Sequence, residues 1–255
     1  SLPEQQKIAA FLSSVDEKIQ QLNRKKKLLD QYKKGVMQQL FSGKLRFKDE
    51  NGNNYPDWEE KRLGETLELL TDFEANGSFA GVKDNVTIYD KTEYAWYVRA
   101  TDLENKTKLN AVKYVDKKSY DFLKKTPLLG NELLITKRGE IGKVYFFKEV
   151  MGVKATVAPN MYLLKFKDFV LPLFFYYFFT NYKGNNLLKR INASSTLGAL
   201  YKNDVKNIKT LLPSFSEQQK IANYLSNIDK KIEQVTQQIT QTQAFKKGLL
   251  QQMFV

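Results

Sequence analysis

The chain has 255 residues, 41 Lys+Arg against 28 Asp+Glu, a formal net charge of +13, and neither Cys nor His. The missing residue types exclude disulfides, zinc–thiolate and imidazole metal sites, cysteine nucleophiles and the Ser-His-Asp triad. A hydrophobic content of 42% is enough for a core, and the surplus of positive charge points to a polyanion, nucleic acid first.

The opening Ser1–Phe11 is polar and mixed and does not read as a signal peptide. The longest apolar run, Leu171–Phe179, contains Pro172 and is about half the length of a membrane span. The expected location is the cytoplasm, away from membranes.

The first element is Glu4–Phe41, EQQKIAAFLSSVDEKIQQLNRKKKLLDQYKKGVMQQLF, and it returns near the other end as Glu217–Phe254, EQQKIANYLSNIDKKIEQVTQQITQTQAFKKGLLQQMF. The two align without a gap at a shift of 213, with 18 of 38 positions identical. In the first copy, Ile8, Leu12, Val15, Ile19, Leu22, Lys26, Leu29, Lys33, Val36 and Leu40 alternate spacings of four and three, and eight of the ten are apolar. The same register in the second copy gives Ile221, Leu225, Ile228, Ile232, Val235, Ile239, Thr242, Lys246, Leu249 and Met253, again eight of ten. A sustained seven-residue apolar repeat predicts two long helices with coiled-coil seams, each roughly 57 Å long at about 1.5 Å per residue. Pro3 precedes the first helix, and Ser216 with Gln219 is expected to cap the second. A plain dimerisation zipper has the same periodicity, but near-copies at both ends also allow pairing within one chain or between two, with pseudo-two-fold symmetry. The cluster Arg24–Lys27, on the first copy only, reads as a solvated face or as a run near phosphates.

Between the helices, Phe47–Pro56 is rich in turn formers and reads as a linker. Strands are expected at Val86–Tyr89, Tyr94–Ala100, Glu132–Thr136, Lys143–Phe147 and Met161–Phe166, where β-branched and aromatic residues alternate between Gly, Asn or charged boundaries. Phe169–Thr180 reads as a buried helix with Pro172 in its first turn, and Leu197–Tyr201 and Asn203–Asn207 as short helical pieces. The fold class expected is α+β: a mixed globular domain flanked by two long helices that pair as an antiparallel coiled coil. The organisation is a helical region over residues 1–45, a globular domain over 46–211 and a second helical region over 212–255.

Residues 46–211 carry 27 Lys+Arg and 21 Asp+Glu, so the positive charge is spread over the whole chain. Four polar loops stand out. Thr136–Gly142 lies between two strands, and its glycines allow a tight turn that would present Lys137 and Arg138 outward. Asn185–Lys202 combines Lys189, Arg190, Asn192, Ser194, Ser195, Thr196 and Lys202; Tyr94–Arg99 interleaves Tyr97 with Arg99; Val153–Thr156 is a short basic turn with Lys154 and Thr156. Arg and Lys bond guanine, Asn adenine, and Ser or Thr phosphates or bases. These residues are the candidate DNA contacts: each loop alone reads first as ordinary surface, and four in one basic domain raise the nucleic-acid reading.

No reaction centre is legible. Pro56-Asp57-Trp58-Glu59-Glu60-Lys61 carries its carboxylates side by side in a linker, whereas a metal-dependent nuclease converges them from separate strands. Gly139-Glu140-Ile141-Gly142-Lys143 lacks the phosphate-loop spacing. No glycine-rich S-adenosylmethionine turn and no Asn-Pro-Pro-aromatic tetrapeptide occurs; Ala158-Pro159-Asn160 is the nearest and differs. Neither a catalytic residue nor a metal ligand is expected. Two rival classes stay open at this level: a self-contained nuclease or methyltransferase, and a coiled-coil scaffold that does not bind DNA.

Taken together, the chain resembles the DNA-specificity subunit of type I restriction–modification systems. The resemblance rests on Leu-Pro (2–3, 212–213), Glu-Gln-Gln-Lys-Ile-Ala (4–9, 217–222), Lys-Lys-Gly (33–35, 246–248) and Gln-Gln with an apolar residue and Phe (38–41, 251–254). Within the domain, Gly130–Gly139 with Ile141–Val144 looks like the family's strand–loop–strand element, and Ala158–Asn160 and Ser194–Gly198 add to the likeness. The resemblance implies a non-catalytic, sequence-specific DNA-binding subunit in which a target-recognition domain reads one half of a split site and paired helices act as spacer. It implies as partners double-stranded DNA, methyltransferase (modification) subunits docked on the helices, and a motor-nuclease subunit. S-adenosylmethionine, ATP and magnesium would belong to those partners. The family alternates two recognition domains with two helical regions, and this chain has one. The resemblance therefore implies the C-terminal half of a longer subunit or a natural half-subunit, with a homodimer through the repeated helices restoring two readers.

Overall fold

The structure, a computed structural model, describes residues 2–193 and 199–253. Two compact units result: the two helical ends, residues 1–46 with 220–255, and a globular unit over 47–219. Among the described residues, no helix is long and apolar enough to cross a membrane.

In the helical unit both repeats are single helices, Leu2–Phe41 and Phe215–Met253. All twenty seam positions of the two registers are buried or half-buried. Leu22, Val235 and Ile239 form a buried cluster with Leu29 packed against it; burying such side chains contributes about 1.5–3 kcal/mol each. The helices run antiparallel within one chain. Asp16 pairs with Lys246 at 2.5 Å and Lys33 with Asp229 at 2.5 Å. Shifting by the repeat offset turns Asp16 into Asp229 and Lys33 into Lys246, so the two ion pairs are one interaction related by a pseudo-two-fold axis. They also explain Lys33 and Lys246 in the seam; the third seam lysine, Lys26, pairs with Asp30 on its own helix. A slip of one heptad would split both pairs, so they fix the register.

The two copies differ at their starts. The second helix begins at Phe215, with Glu217 N donating to the Ser214 hydroxyl at 3.4 Å. Ser214 is therefore the cap, and the expected Ser216–Gln219 box lies inside the first turn. Glu217 is buried and accepts from Trp58 Nε1 at 3.0 Å. Gln218 accepts from Leu171 N at 2.7 Å and donates to the Pro213 carbonyl at 2.9 Å. The equivalent Glu4 and Gln5 are exposed.

In chain order the strands of the globular unit are β1 (Glu59–Arg62), β2 (Leu67–Asp72), β3 (Ile88–Tyr89), β4 (Ala95–Val98), β5 (Tyr114–Val115), β6 (Pro127–Leu128), β7 (Leu133–Thr136), β8 (Val144–Phe146), β9 (Lys154–Val157), β10 (Met161–Phe166) and β11 (Lys209–Leu212). Among the described residues they form three sheets, ordered β1-β11, β2-β10-β7-β8 and β3-β5-β4-β9-β6. Leu134, Met161 and Leu163 from the second sheet and Trp96, Val98, Ala155 and Val157 from the third share one buried cluster. The helix Pro172–Thr180 has proline at its first position, where its missing N–H costs nothing, and buries Phe174, Phe175, Phe178 and Phe179.

Three expectations change. Val153–Thr156 is not a turn: Lys154–Val157 is a strand pairing in parallel with β4. Much of Asn185–Lys202 is not a loop, because Tyr182–Ala193 is helical. Gly184 lets that helix follow its aromatic predecessor, since a Cβ there would stand 2.1 Å from the Phe178 carbonyl oxygen. Residues 199–201 are not helical, while Leu197 and Gly198 lie outside the described residues; Lys202–Lys206 is a helix, close to the expected Asn203–Asn207.

Candidate nucleic-acid interface

The parallel pair β4–β9 aligns Val98 with Val157, so the residues that follow, Arg99 and Ala158-Pro159-Asn160, emerge at the same edge. Ala158 N donates to the Val98 carbonyl at 2.9 Å. Arg99 caps the helix Ala100–Asn105, and its guanidinium donates to the buried Asp102 carboxylate at 2.6 and 3.0 Å. The hairpin Thr136–Gly142 reaches the same edge, with Lys137 N donating to the Asn160 carbonyl at 2.8 Å. Gly139 and Gly142 have φ of +76° and +80°, the left-handed backbone that favours glycine. At Gly142 the Leu188 Cβ lies 3.3 Å from where a side chain would begin, so the helix bearing Lys189 and Arg190 packs on this hairpin.

Lys137 does not point outward as its position in a glycine-flanked loop suggested. It is buried, and its amine donates to Asp72 at 2.7 Å, lies 3.3 Å from Glu74 and sits over the Tyr162 ring at 5.4 Å. The reason is Asp72, a buried carboxylate at the end of β2 that needs cationic partners; Lys202 supplies the second, at 3.0 Å. Burial pushes the Asp72 carboxyl up, but the hydrogen bonds from Lys137 and Lys202 outweigh it and hold the group below its ordinary value. Burial, with the Asp72 and Glu74 charges, pushes the Tyr162 phenol up to about 12. The Tyr162 hydroxyl donates to the Leu200 carbonyl at 2.8 Å, and Leu200 N donates to the Lys137 carbonyl at 3.2 Å. One buried node thus ties together the end of β2, the hairpin, the Asn160 turn and the segment carrying Lys202.

Above the node are two open clefts. One, of about 540 Å³, is lined by Arg99, Glu104, Arg138, Glu140, Lys143 and Asn160 among others. The second, of about 750 Å³, is more apolar and has Phe73, Val82, Ile88, Lys83 and Glu74 on its walls. Tyr97, Arg138, Pro159 and Asn160 border both.

Of the sequence candidates, the structure places Arg99 and Arg138 on the cleft walls and Lys202 in the buried node, while Lys189 and Arg190 are exposed on the helix that packs on the hairpin through Leu188. Two others are corrected with Lys137. Tyr97 is buried edge-on against Phe73, with ring centres 5.9 Å apart, so it forms a floor rather than a probe. Thr156 is fully buried and its hydroxyl donates to the Thr126 carbonyl at 3.0 Å. Lys154 is exposed but stands at the opposite end of β9, over the Tyr94 ring at 4.6 Å. Asn192 lies in a described helix but its side chain does not belong to the described set, and Ser194, Ser195 and Thr196 lie outside the described residues. Sequence reasoning missed Asp72, Glu74 and Glu104. The signal for Asp72 was a carboxylate ending the run Leu67-Glu68-Leu69-Leu70-Thr71-Asp72. Among the described residues, no group of three or more Asp or Glu is placed to hold a metal ion.

Residues 55–242 match the family model for the type I restriction modification DNA specificity domain. The chain belongs to that family. Specificity subunits of this kind are non-catalytic. A protein of Methanocaldococcus jannaschii provisionally named the type I restriction enzyme MjaX specificity subunit is 27% identical over 226 residues, covering 86% of this chain and 50% of its own length. The HsdS subunit of Thermoanaerobacter tengcongensis superposes with a TM-score of 0.57 at 16% identity, over 99% of this chain and 58% of the other. The type I restriction–modification S subunit of M. genitalium gives 0.59 at 17% identity, over 99% and 61%. The likeness to these structures is one of fold, and the chain spans about half the length of the relatives it matches. The α+β class with two long paired helices agrees with both the structure and these relatives.

Proposed function

We propose that this specificity chain binds double-stranded DNA through the edge carrying Arg99, Arg138, Lys189, Arg190 and Lys202, and reads one half of a bipartite target. The observation that carries the proposal is the match of residues 55–242 to the DNA-specificity family. Basic side chains from separate segments, Arg99, Arg138, Lys143 and Lys83, line the pair of clefts and support it. Phosphate contacts supply affinity and its salt dependence, and a few base contacts supply specificity.

The paired helices act as a stiff spacer and as the docking surface for methyltransferase subunits, with a motor-nuclease subunit joining the assembly. Their pseudo-two-fold symmetry supports this role, because it presents similar surfaces twice. S-adenosylmethionine, ATP and magnesium act in those partners, and the complex works on genomic DNA in the cytoplasm. The second half of the target is read by another recognition unit, on the same polypeptide or on a second copy of this chain.

Methylation mapping of genomic DNA tests this reading in cells expressing the chain with its methyltransferase partners. A split sequence motif, methylated only when the chain is present, is expected. Methylation that is unchanged when the chain is omitted would overturn the proposal.

A further inference from the structure

The clefts are close to charge-balanced, although the chain as a whole carries +13. Four of the basic side chains at this edge have carboxylate partners. Arg99 is 2.6 Å from Asp102, Arg138 is 3.4 Å from Glu74, and Lys202 is 3.0 Å from Asp72. Lys143 is clasped by both Glu104 and Glu140. Asp72 and Asp102 are buried and hold the fold. Glu74, Glu104 and Glu140 are different: their side chains are 56%, 46% and 71% exposed. Exposed ion pairs contribute little to stability, and although Glu74 also lies 3.3 Å from the buried Lys137 amine, folding does not account for three exposed carboxylates lining clefts in a basic protein. On a surface that approaches phosphates they are unfavourable, since each repels the backbone and occupies a cation.

We propose that Glu74, Glu104 and Glu140 are specificity-determining residues that suppress binding to DNA of the wrong sequence. The inference rests on the DNA-reading proposal above and adds a rule to it. A phosphate that captures Arg138 or Lys143 leaves the displaced carboxylate facing like charge. A G·C pair satisfies both partners, because guanine O6 and N7 accept from the guanidinium while the cytosine N4 amine donates to the carboxylate. Arbitrary duplex therefore meets nearly neutral cleft walls, and the ion pairs open where base edges replace both ends. The cleft at Arg138 and Glu74 is accordingly assigned to a G·C pair.

The test uses the full chain and a fluorescein-labelled duplex of random sequence, with anisotropy read across a potassium chloride series. The triple variant Glu74→Gln, Glu104→Gln, Glu140→Gln is compared with Glu4→Gln, Glu17→Gln, Glu233→Gln, which changes net charge equally at exposed positions on the helices. The cleft variant is expected to bind random duplex roughly fivefold or more tighter near physiological salt, with a slope of log K against log salt steeper by about 1–3. The helix variant is expected to change affinity less than about twofold, because the cleft cations pair with Glu74, Glu104 and Glu140. Unchanged affinity and slope in the cleft variant would overturn the inference, as would an equal gain in the helix variant. Failure of the underlying reading looks different: neither the wild type nor either variant would then retain duplex even at low salt.

Discussion

Replacing Asp72 with Ala tests whether the buried node holds the interface together. Asp72 is 3% exposed and receives Lys137 at 2.7 Å and Lys202 at 3.0 Å. Removing one partner of a buried ion pair costs about 3–5 kcal/mol, because the other charge stays buried. Lys202 is 39% exposed in its side chain and can turn to water, but Lys137 is only 5% exposed. Glu74, 3.3 Å from the same amine, recovers about 1 kcal/mol as a largely exposed partner. The expected net loss is therefore about 2–4 kcal/mol, or roughly 4–16 °C in melting temperature at about 2–4 °C per kcal/mol. Both tryptophans, Trp58 and Trp96, lie in the globular unit, so urea unfolding followed by tryptophan fluorescence reports on that unit. The double variant Asp72→Ala, Lys137→Met removes both buried charges and should cost at least about 1.5 kcal/mol less than the sum of the single losses. Acid adds a second readout. The Asp72 carboxyl is held below its ordinary value, so its contribution is complete above the unfolded value of about 3.9 and is lost as pH falls through the folded one. The gap between wild type and Asp72→Ala should narrow below about pH 4. A loss under about 1 kcal/mol, or single losses that simply add in the double variant, would refute the reasoning.

The remaining predictions concern the helices, one glycine and the basic edge. Val235→Asp buries a charge in the Leu22–Ile239 cluster and should lower the melting temperature of the helical unit by several degrees in circular dichroism, with a cost of about 3 kcal/mol or more. Ile19→Asp with Ile232→Asp, at equivalent half-buried seam positions, should act in the same direction; an unaltered melt would count against the seam. Gly184→Ala places a methyl group 2.1 Å from the Phe178 carbonyl oxygen and should destabilise the globular unit by about 2 kcal/mol or more in urea, whereas Gly35→Ala, with open space around it, should not. Arg138→Ala with Lys189→Ala and Arg190→Ala should weaken duplex binding and flatten its salt slope by about 1–3; an unchanged slope would remove these residues from the interface.

The helical ends were legible because their signal is local and doubled: two near-copies with one heptad register in common. Their antiparallel pairing became specific only with the swapped ion pairs Asp16–Lys246 and Lys33–Asp229, which join residues some two hundred positions apart. In the globular unit, Met161–Phe166 and the proline-started aromatic helix were readable from composition. Val153–Thr156 has the local pattern of a turn because a strand this short acquires its meaning from a parallel neighbour about sixty residues earlier. Tyr182–Ala193 was hidden by Gly184, Asn185 and Asn186, which suggest a loop; the glycine is there for close contact with the preceding helix. Lys137 and Arg138 are neighbours with opposite fates. Which of the two turns inward is decided by Asp72, sixty-five residues away, and no local pattern carries that information.

Selection of bound duplexes from a randomised pool by the full chain addresses the central claim most directly. One short motif should emerge, with a G·C pair at a fixed position, and it should vanish when Arg138, Lys189 and Arg190 are replaced together. A bound pool as random as the input would contradict the account.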